Sequence, residues 1–337
     1  MVQGLVNTAQ FTTPSERISL LVPYPPVKTA AKPGELEEDS MGHDSDKSNE
    51  IKSTFWRDPR LYQIASLSTL LFYGLFWLHF DVSIWQVAIT LCVAQLTQIS
   101  GTRYFNLPSF DPKSALISSL SLCLLLRTND PAVAALAAFV AIASKFLIRW
   151  NNKHVFNPTN LALVVILSSG LGWISPGQWG QVAWLGFLVA CLGSLVVTRA
   201  ARADVTLAFL TFYIGLLFIR ALWLGDPLTI PLHQIENGAL LIFAFFMISD
   251  PKSTPDSRAG RIVYALLVVL TALYVQFGLF KPNGPLWGLV ACSPFASLLD
   301  RVFPGPRYDW SKPSIGKSSL MNPMSGSPIR VLTKEVI

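Results

Sequence analysis

Apolar and polar positions in this chain separate into long segments instead of alternating residue by residue. Beyond about position 60, ten apolar blocks follow one another at 61–80, 83–100, 114–126, 131–150, 159–174, 179–198, 205–224, 237–249, 260–280 and 286–300. Blocks of this kind, with only short polar stretches between them, predict helices in a lipid bilayer. Two of them are too short to cross one. The run NGALLIFAFFMISDP at 237–251 stops after 248, and a helix from 238 would reach about 16 Å, roughly half of a hydrocarbon core about 30 Å thick. The earlier segment SALISSLSLCLLLRTNDP at 114–131 is built alike: a small residue, Ala-Leu, a short apolar run, then Asp-Pro. Each is read as a half-spanning helix.

The charges between blocks test this count. Basic residues follow the even-numbered blocks: Arg103 and Lys113, Arg149 and Lys153, Arg199 and Arg202, Lys252 with Arg258 and Arg261, then Arg301 and Arg307. Stretches after odd-numbered blocks, such as HFDVS, GWISPGQWG and KPNGP, are poor in them. Basic loops stay on the cytoplasmic side, so the alternation puts both termini there. Ten blocks divide into five plus five, and the short runs are third in each half. An odd number per half inverts one half relative to the other, as in many transport folds. The expected fold is an all-α integral membrane protein of about ten helices, with repeats near 61–174 and 179–300 inside a membrane domain at 56–310. Residues 1–55, rich in Pro, Ser and acids, are expected to be a disordered cytoplasmic tail, and 311–337 a cytoplasmic C-terminal tail.

Composition supports a multi-pass protein of the plasma membrane, being 51% hydrophobic and 14% charged. The first 21 residues lack the basic start and apolar core of a signal peptide. A net charge of +6 could suit nucleic acid, but the basic residues are spread over short loops where topology control is their ordinary use. No nucleic-acid partner is expected. Cys92, Cys123, Cys191 and Cys292 lie inside apolar blocks without C-x-x-C spacing, which reads as small buried hydrophobes and not as a metal site. Phosphate-binding loops, zinc-protease motifs and nucleophile elbows are missing from the sequence.

Candidate chemistry therefore rests on polar groups at helix ends. A half-helix exposes backbone that is tolerable only in protein or beside a wet cavity, so a central cavity between the third and eighth blocks is expected, near Ser114, Asn237, Gly238 and Asp250. Asp130 and Asp250 precede prolines and read first as helix terminators. Lys145 and Arg220, each near a helix end, read as side chains reaching for the membrane surface. Asn157, in KHVFNPTN, either caps the fifth helix or hydrogen-bonds a polar heterocycle. On the capping reading, Asn157→Ser would be nearly neutral.

The segments SALISSLSLCLLL, KHVFNPTNLALVV, FFMISDPKSTPDSRAGRIVYALL and SLLDRVFPGPRY resemble, in that order, the NqrB/RnfD family, which comprises the NqrB component of the Na+-translocating NADH:quinone reductase and the RnfD component of the Rnf electron-transport complex. The similarity covers roughly 60–310. It implies a ten-helix inverted-repeat fold and flavin-mediated electron transfer coupled to ion movement, carried out with other redox subunits and not by this chain alone. It also implies a non-covalent riboflavin or flavin mononucleotide near Asn157 and His154, the latter standing where the family has a second asparagine. The family's covalent flavin sits on a threonine between the fifth and sixth helices. Here that stretch is GWISPGQWGQ, without a threonine, and the look-alike NGAL at 237–240 ends in leucine. No covalent flavin is expected. The rival expectation is a cofactor-free transporter or channel for a small solute or ion, or an accessory assembly subunit.

Overall fold

The computed structural model describes residues 58–150, 153–175 and 183–308. The expected tails at 1–55 and 311–337, and positions 176–182 of the loop after the fifth block, lie outside these residues.

Each apolar block carries a helix. The first half contains α1 (Pro59–Phe76), α2 (Ile84–Tyr104), α3 (Pro112–Leu125), α4 (Pro131–Leu147) and α5 (Pro158–Ser169). The second contains α6 (Ala183–Arg199), α7 (Ala203–Leu224), a short α8 (Thr229–Ile235), α9 (Gly238–Ile242) running on through a π-helical turn (Phe243–Met247), α10 (Arg258–Leu273) with a similar turn (Tyr274–Gly278), and α11 (Gly284–Val302).

Local sequence explains where these helices start. Asp58, Asp111, Asp130 and Asn157 each hold an N-cap with proline next in sequence. The cap side chain accepts from a first-turn N–H, and proline's fixed φ suits the first helical position. Asp130 thus opens α4 and does not close α3. What closes α3 is Arg127, whose guanidinium donates to the carbonyls of Cys123 (3.1 Å), Leu124 (3.2 Å) and Leu126 (2.8 Å) while lying 4.7 Å from the Phe80 ring centroid. A cation at the carbonyl end both satisfies orphan acceptors and opposes the helix dipole. Beyond it, strand β1 (Leu126–Arg127) pairs antiparallel with β4 (Trp173–Ile174), and β2 (Arg149–Trp150) pairs with β3 (Lys153–His154) in a hairpin between α4 and α5.

By length and composition, Ile84–Tyr104, Ala203–Leu224 and Arg258–Gly278 can each cross a membrane, and the pair Thr229–Ile235 and Gly238–Met247, bent by 54°, adds a fourth crossing if read as one broken span. The remaining apolar helices are shorter. Packing follows one pattern in both halves: α1 on α3, α2 on α4 and α4 on α5, then α6 on α9, α7 on α10 and α10 on α11. The contact of α10 with α11 is close because Gly284 and Gly288 face it bare. A β-carbon at Gly288 would meet the Val268 carbonyl oxygen at 2.6 Å, the small-residue approach common between membrane helices.

Cys123 and Cys292 are buried as expected, whereas Cys92 and Cys191 are exposed. Apolar residues on the outer surface of a membrane bundle are as hydrophobic as those in its core, so sequence did not separate them.

Candidate functional site

Two cavities lie at opposite ends of the two short helical segments. The first is lined by Ser114, Ser118 and Ser121 on α3 and by Met247, Ser249 and Asp250 at the end of the eighth block. The second is lined by Leu125, where α3 ends, and by Asn237, Leu240 and Phe243, where the eighth block begins. The two segments therefore run antiparallel. Of the residues expected to share one central cavity, Ser114 and Asp250 meet in the first and Asn237 lines the second, whereas Gly238 lines neither.

The first cavity also takes in Lys145, His154, Asn157 and Thr159, and its empty space, open mouth included, is about 770 Å³. Its most unexpected wall residue is Lys145. The side chain does not reach outward: it is 5% exposed, and Nζ donates to the Ser114 carbonyl at 2.9 Å and to its Oγ at 3.1 Å. The sequence carried a sign of this, since Lys145 continues the small-residue stripe of Ala134, Ala138 and Ala141 that buries α4. Arg220, by contrast, is partly exposed, pairs with Asp226 at 3.3 Å and lies over the Phe277 ring.

Asn157 is the buried N-cap of α5. Its Oδ1 accepts from the Asn160 N–H (3.0 Å) and its Nδ2 donates to the Met247 carbonyl (3.3 Å). The capping reading is thus half of its role. The other half is a tie across the molecule that the shorter serine cannot make, so Asn157→Ser would lose that tie, leaving the Met247 carbonyl with the Asp250 N–H alone (3.3 Å), and is not the neutral change that capping alone suggested. Thr159 and Asn160 extend the junction. Thr159 Oγ1 donates to the Ser118 carbonyl (3.3 Å), and Asn160 Nδ2 to the Leu286 carbonyl in the first turn of α11 (3.0 Å). The first turn of α5 therefore joins α3, the eighth block and α11 between the two cavities.

His154 stands on β3 with its Nδ1 buried and without a hydrogen-bond partner among the described residues. Burial, helped by the neighbouring positive charges of Lys252, Lys145 and Arg149, pushes its pKa down to about 3. At neutral pH the ring is uncharged, with one nitrogen available as donor or acceptor. Asp250 makes a local turn, accepting from the Lys252 N–H and the Ser253 hydroxyl at 3.1 Å each. It does not cap a helix. No group of three or more His, Cys, Asp or Glu that could hold a metal ion occurs among the described residues.

Beyond the cavities, the mouth of the first half is tied to the second by charge. Lys153 Nζ meets Asp256 at 2.7 Å and Asp300 at 2.8 Å; within the second half, Asp256 N–H donates to Asp300 (2.7 Å) and Arg261 pairs with Asp204.

Comparison with known proteins agrees with these segments. The model of the NQR2, RnfD, RnfE family matches residues 131–308, the stretch that includes Lys145, His154, Asn157 and Asp250. The D component of the ion-translocating oxidoreductase complex from Alcanivorax borkumensis is 36% identical over 115 residues, 33% of this chain and 30% of that protein. The same component from Erwinia tasmaniensis is 30% identical over 136 residues and that from Escherichia coli 31% identical over 136, each match covering 39% of this chain and 35% of the relative. The chain spans about a third of the length of the curated relatives it matches.

Proposed function

The chain belongs to the NQR2, RnfD, RnfE family, and on that premise we propose that it is a multi-pass membrane subunit of an electron-transport complex coupled to ion translocation. The observation that carries the reading is that the family match takes in Lys145, His154, Asn157 and Asp250 of the first cavity, whose α3 wall of Ser114, Ser118 and Ser121 precedes the match. The architecture we propose is two five-helix repeats of opposite orientation in the plasma membrane with both termini cytoplasmic. Its support is the recurrence of one packing pattern in both halves, the antiparallel short segments and the alternation of basic loops.

The first cavity offers a donor set that suits a non-covalent flavin. The unpartnered His154 Nδ1, the second N–H of the Asn157 amide and the Lys145 Nζ are groups that can meet the ring's nitrogens and carbonyls. A bound flavin supplies electron transfer in one- and two-electron steps. The chain's own part is to hold the ring and shield it from water, with the Lys145 amine among the groups in the wall. A covalent phosphoester is not part of the proposal, because GWISPGQWGQ has no threonine to form it.

A second reading, a transporter for a small solute or ion, draws on the two cavities at opposite ends of α3 and the eighth block. Purification of the tagged chain from its native membranes in mild detergent, after brief cross-linking, separates the two. Recovery of cofactor-bearing redox subunits is expected. A chain recovered with no redox partner would overturn the subunit reading in favour of the transporter.

A further inference from the structure

On the side of the bundle that carries the basic loops, a groove combines one cation with apolar walls. It is lined by Pro294, Ser297, Leu298 and Arg301 on α11, with Trp150 on β2 and Val155 just beyond β3. The four α11 positions follow i, i+3, i+4 and i+7 spacing, so they form one stripe along the helix. The hairpin supplies the facing wall, held in place by the pairing of Arg149 with His154 and by the Val155 N–H, which donates to the Ile148 carbonyl at 3.3 Å.

Polarity is graded along this stripe. Arg301 lies exposed in the last turn of α11, and it makes no ion pair with a carboxylate among the described residues. Its sequence neighbour Asp300 is already neutralised by Lys153. Towards the middle of the helix come the half-buried Ser297 and then exposed apolar surface from Leu298, Phe295 and Pro294. Trp150, 52% exposed, stands beside them. A cation at the membrane surface, an indole at the boundary and apolar surface below match the headgroup, glycerol region and acyl chain of a phospholipid in that order. A soluble anion would use only the cation, and an uncharged lipid only the apolar part.

We propose that this groove is a site for one anionic glycerophospholipid of the cytoplasmic leaflet. Its phosphate is held by Arg301 with the Ser297 hydroxyl as a further donor, and its acyl chain lies along Leu298 and Phe295 beside Trp150. Negative lipids are drawn to basic side chains at that surface. Such a site rests on the proposed function only in requiring a membrane with this end of α11 at its cytoplasmic face, and it is independent of flavin.

Native mass spectrometry tests it on the full chain in detergent, titrated with phosphatidylglycerol or with phosphatidylcholine of identical acyl chains. Retention of one phosphatidylglycerol per chain is expected at about fivefold lower concentration than retention of phosphatidylcholine, the factor that the attraction of one basic residue supplies. Glycerol phosphate, a headgroup without chains, is expected not to compete. Arg301→Gln should erase the preference and Arg301→Lys should keep it. Arg103→Gln removes the same charge from α2, on the same side but outside the groove, and should leave the preference intact. Ser297→Asp sets a like charge against the phosphate and should also erase it, which decides the matter if a melting curve shows Arg301→Gln to be unfolded. Equal retention of the two lipids by the wild type, displacement by glycerol phosphate, an equal loss in Arg301→Gln and Arg103→Gln, or an unchanged preference in a folded Arg301→Gln or Ser297→Asp would each overturn the proposal. All of these results would leave the membrane-subunit reading standing.

Discussion

Arg127→Leu will lower the stability of the protein by about 3 kcal/mol, because it leaves several buried carbonyls without donors, each costing on the order of 1–3 kcal/mol, partly offset by no longer burying a guanidinium. Arg127 is 1% exposed and its contacts are with the carbonyls of residues 123, 124 and 126. These are the acceptors that a helix ending inside a membrane cannot give to water. Arg127→Lys keeps the charge but not the planar fork that spans three acceptors, so it should fall between wild type and leucine. Melting curves in one detergent order the three proteins. Equal melting temperatures would show that water or lipid headgroups, not this side chain, terminate α3.

Lys153→Met should be similarly damaging. Lys153 is the cation between Asp256 and Asp300, and Asp256 has only 8% of its side chain exposed. Removing the partner of a partly buried carboxylate pair costs about 3–5 kcal/mol when the site stays closed to water. Two carboxylates would then face each other across the space that Lys153 left. Adding Asp300→Asn to Lys153→Met relieves that repulsion, so the double variant should regain part of the lost stability. A double variant no better than the single one would mean that the lysine acts by packing its methylenes and not by neutralising the pair.

How much of this was legible from sequence depended on which force decided each feature. Helix positions were, because a bilayer forces apolar residues into contiguous runs: the block at 83–100 became Ile84–Tyr104 and that at 114–126 became Pro112–Leu125. The early stop of the third block was visible as well, though its cause was misplaced. Asp130 followed by proline looked like a terminator, whereas the chain reverses at Arg127, three residues earlier, and Asp130 starts the next helix. The short helix Thr229–Ile235 passed for a loop because prolines at 227 and 231 break its pattern.

Within the site, Asn157 was legible because an asparagine before a proline marks a helix start. Its reach to Met247 was not, because 90 residues separate the partners and nothing local encodes that contact. Lys145 was assigned to the membrane surface by its place near a helix end. Only the face it occupies, shared with Ala138 and Ala141, distinguishes an inward lysine from an outward one. The pairing of Tyr213 with Gln276 likewise depends on how α7 packs on α10.

We propose that the first cavity holds a flavin without a covalent bond. The absorbance spectrum of the purified, detergent-solubilised chain tests it, read before and after acid precipitation. A flavin band near one equivalent per chain is expected, moving entirely into the supernatant on precipitation and leaving no fluorescent band on a denaturing gel. A folded, colourless protein that takes up no added riboflavin, or a flavin that stays with the precipitated chain, would contradict it.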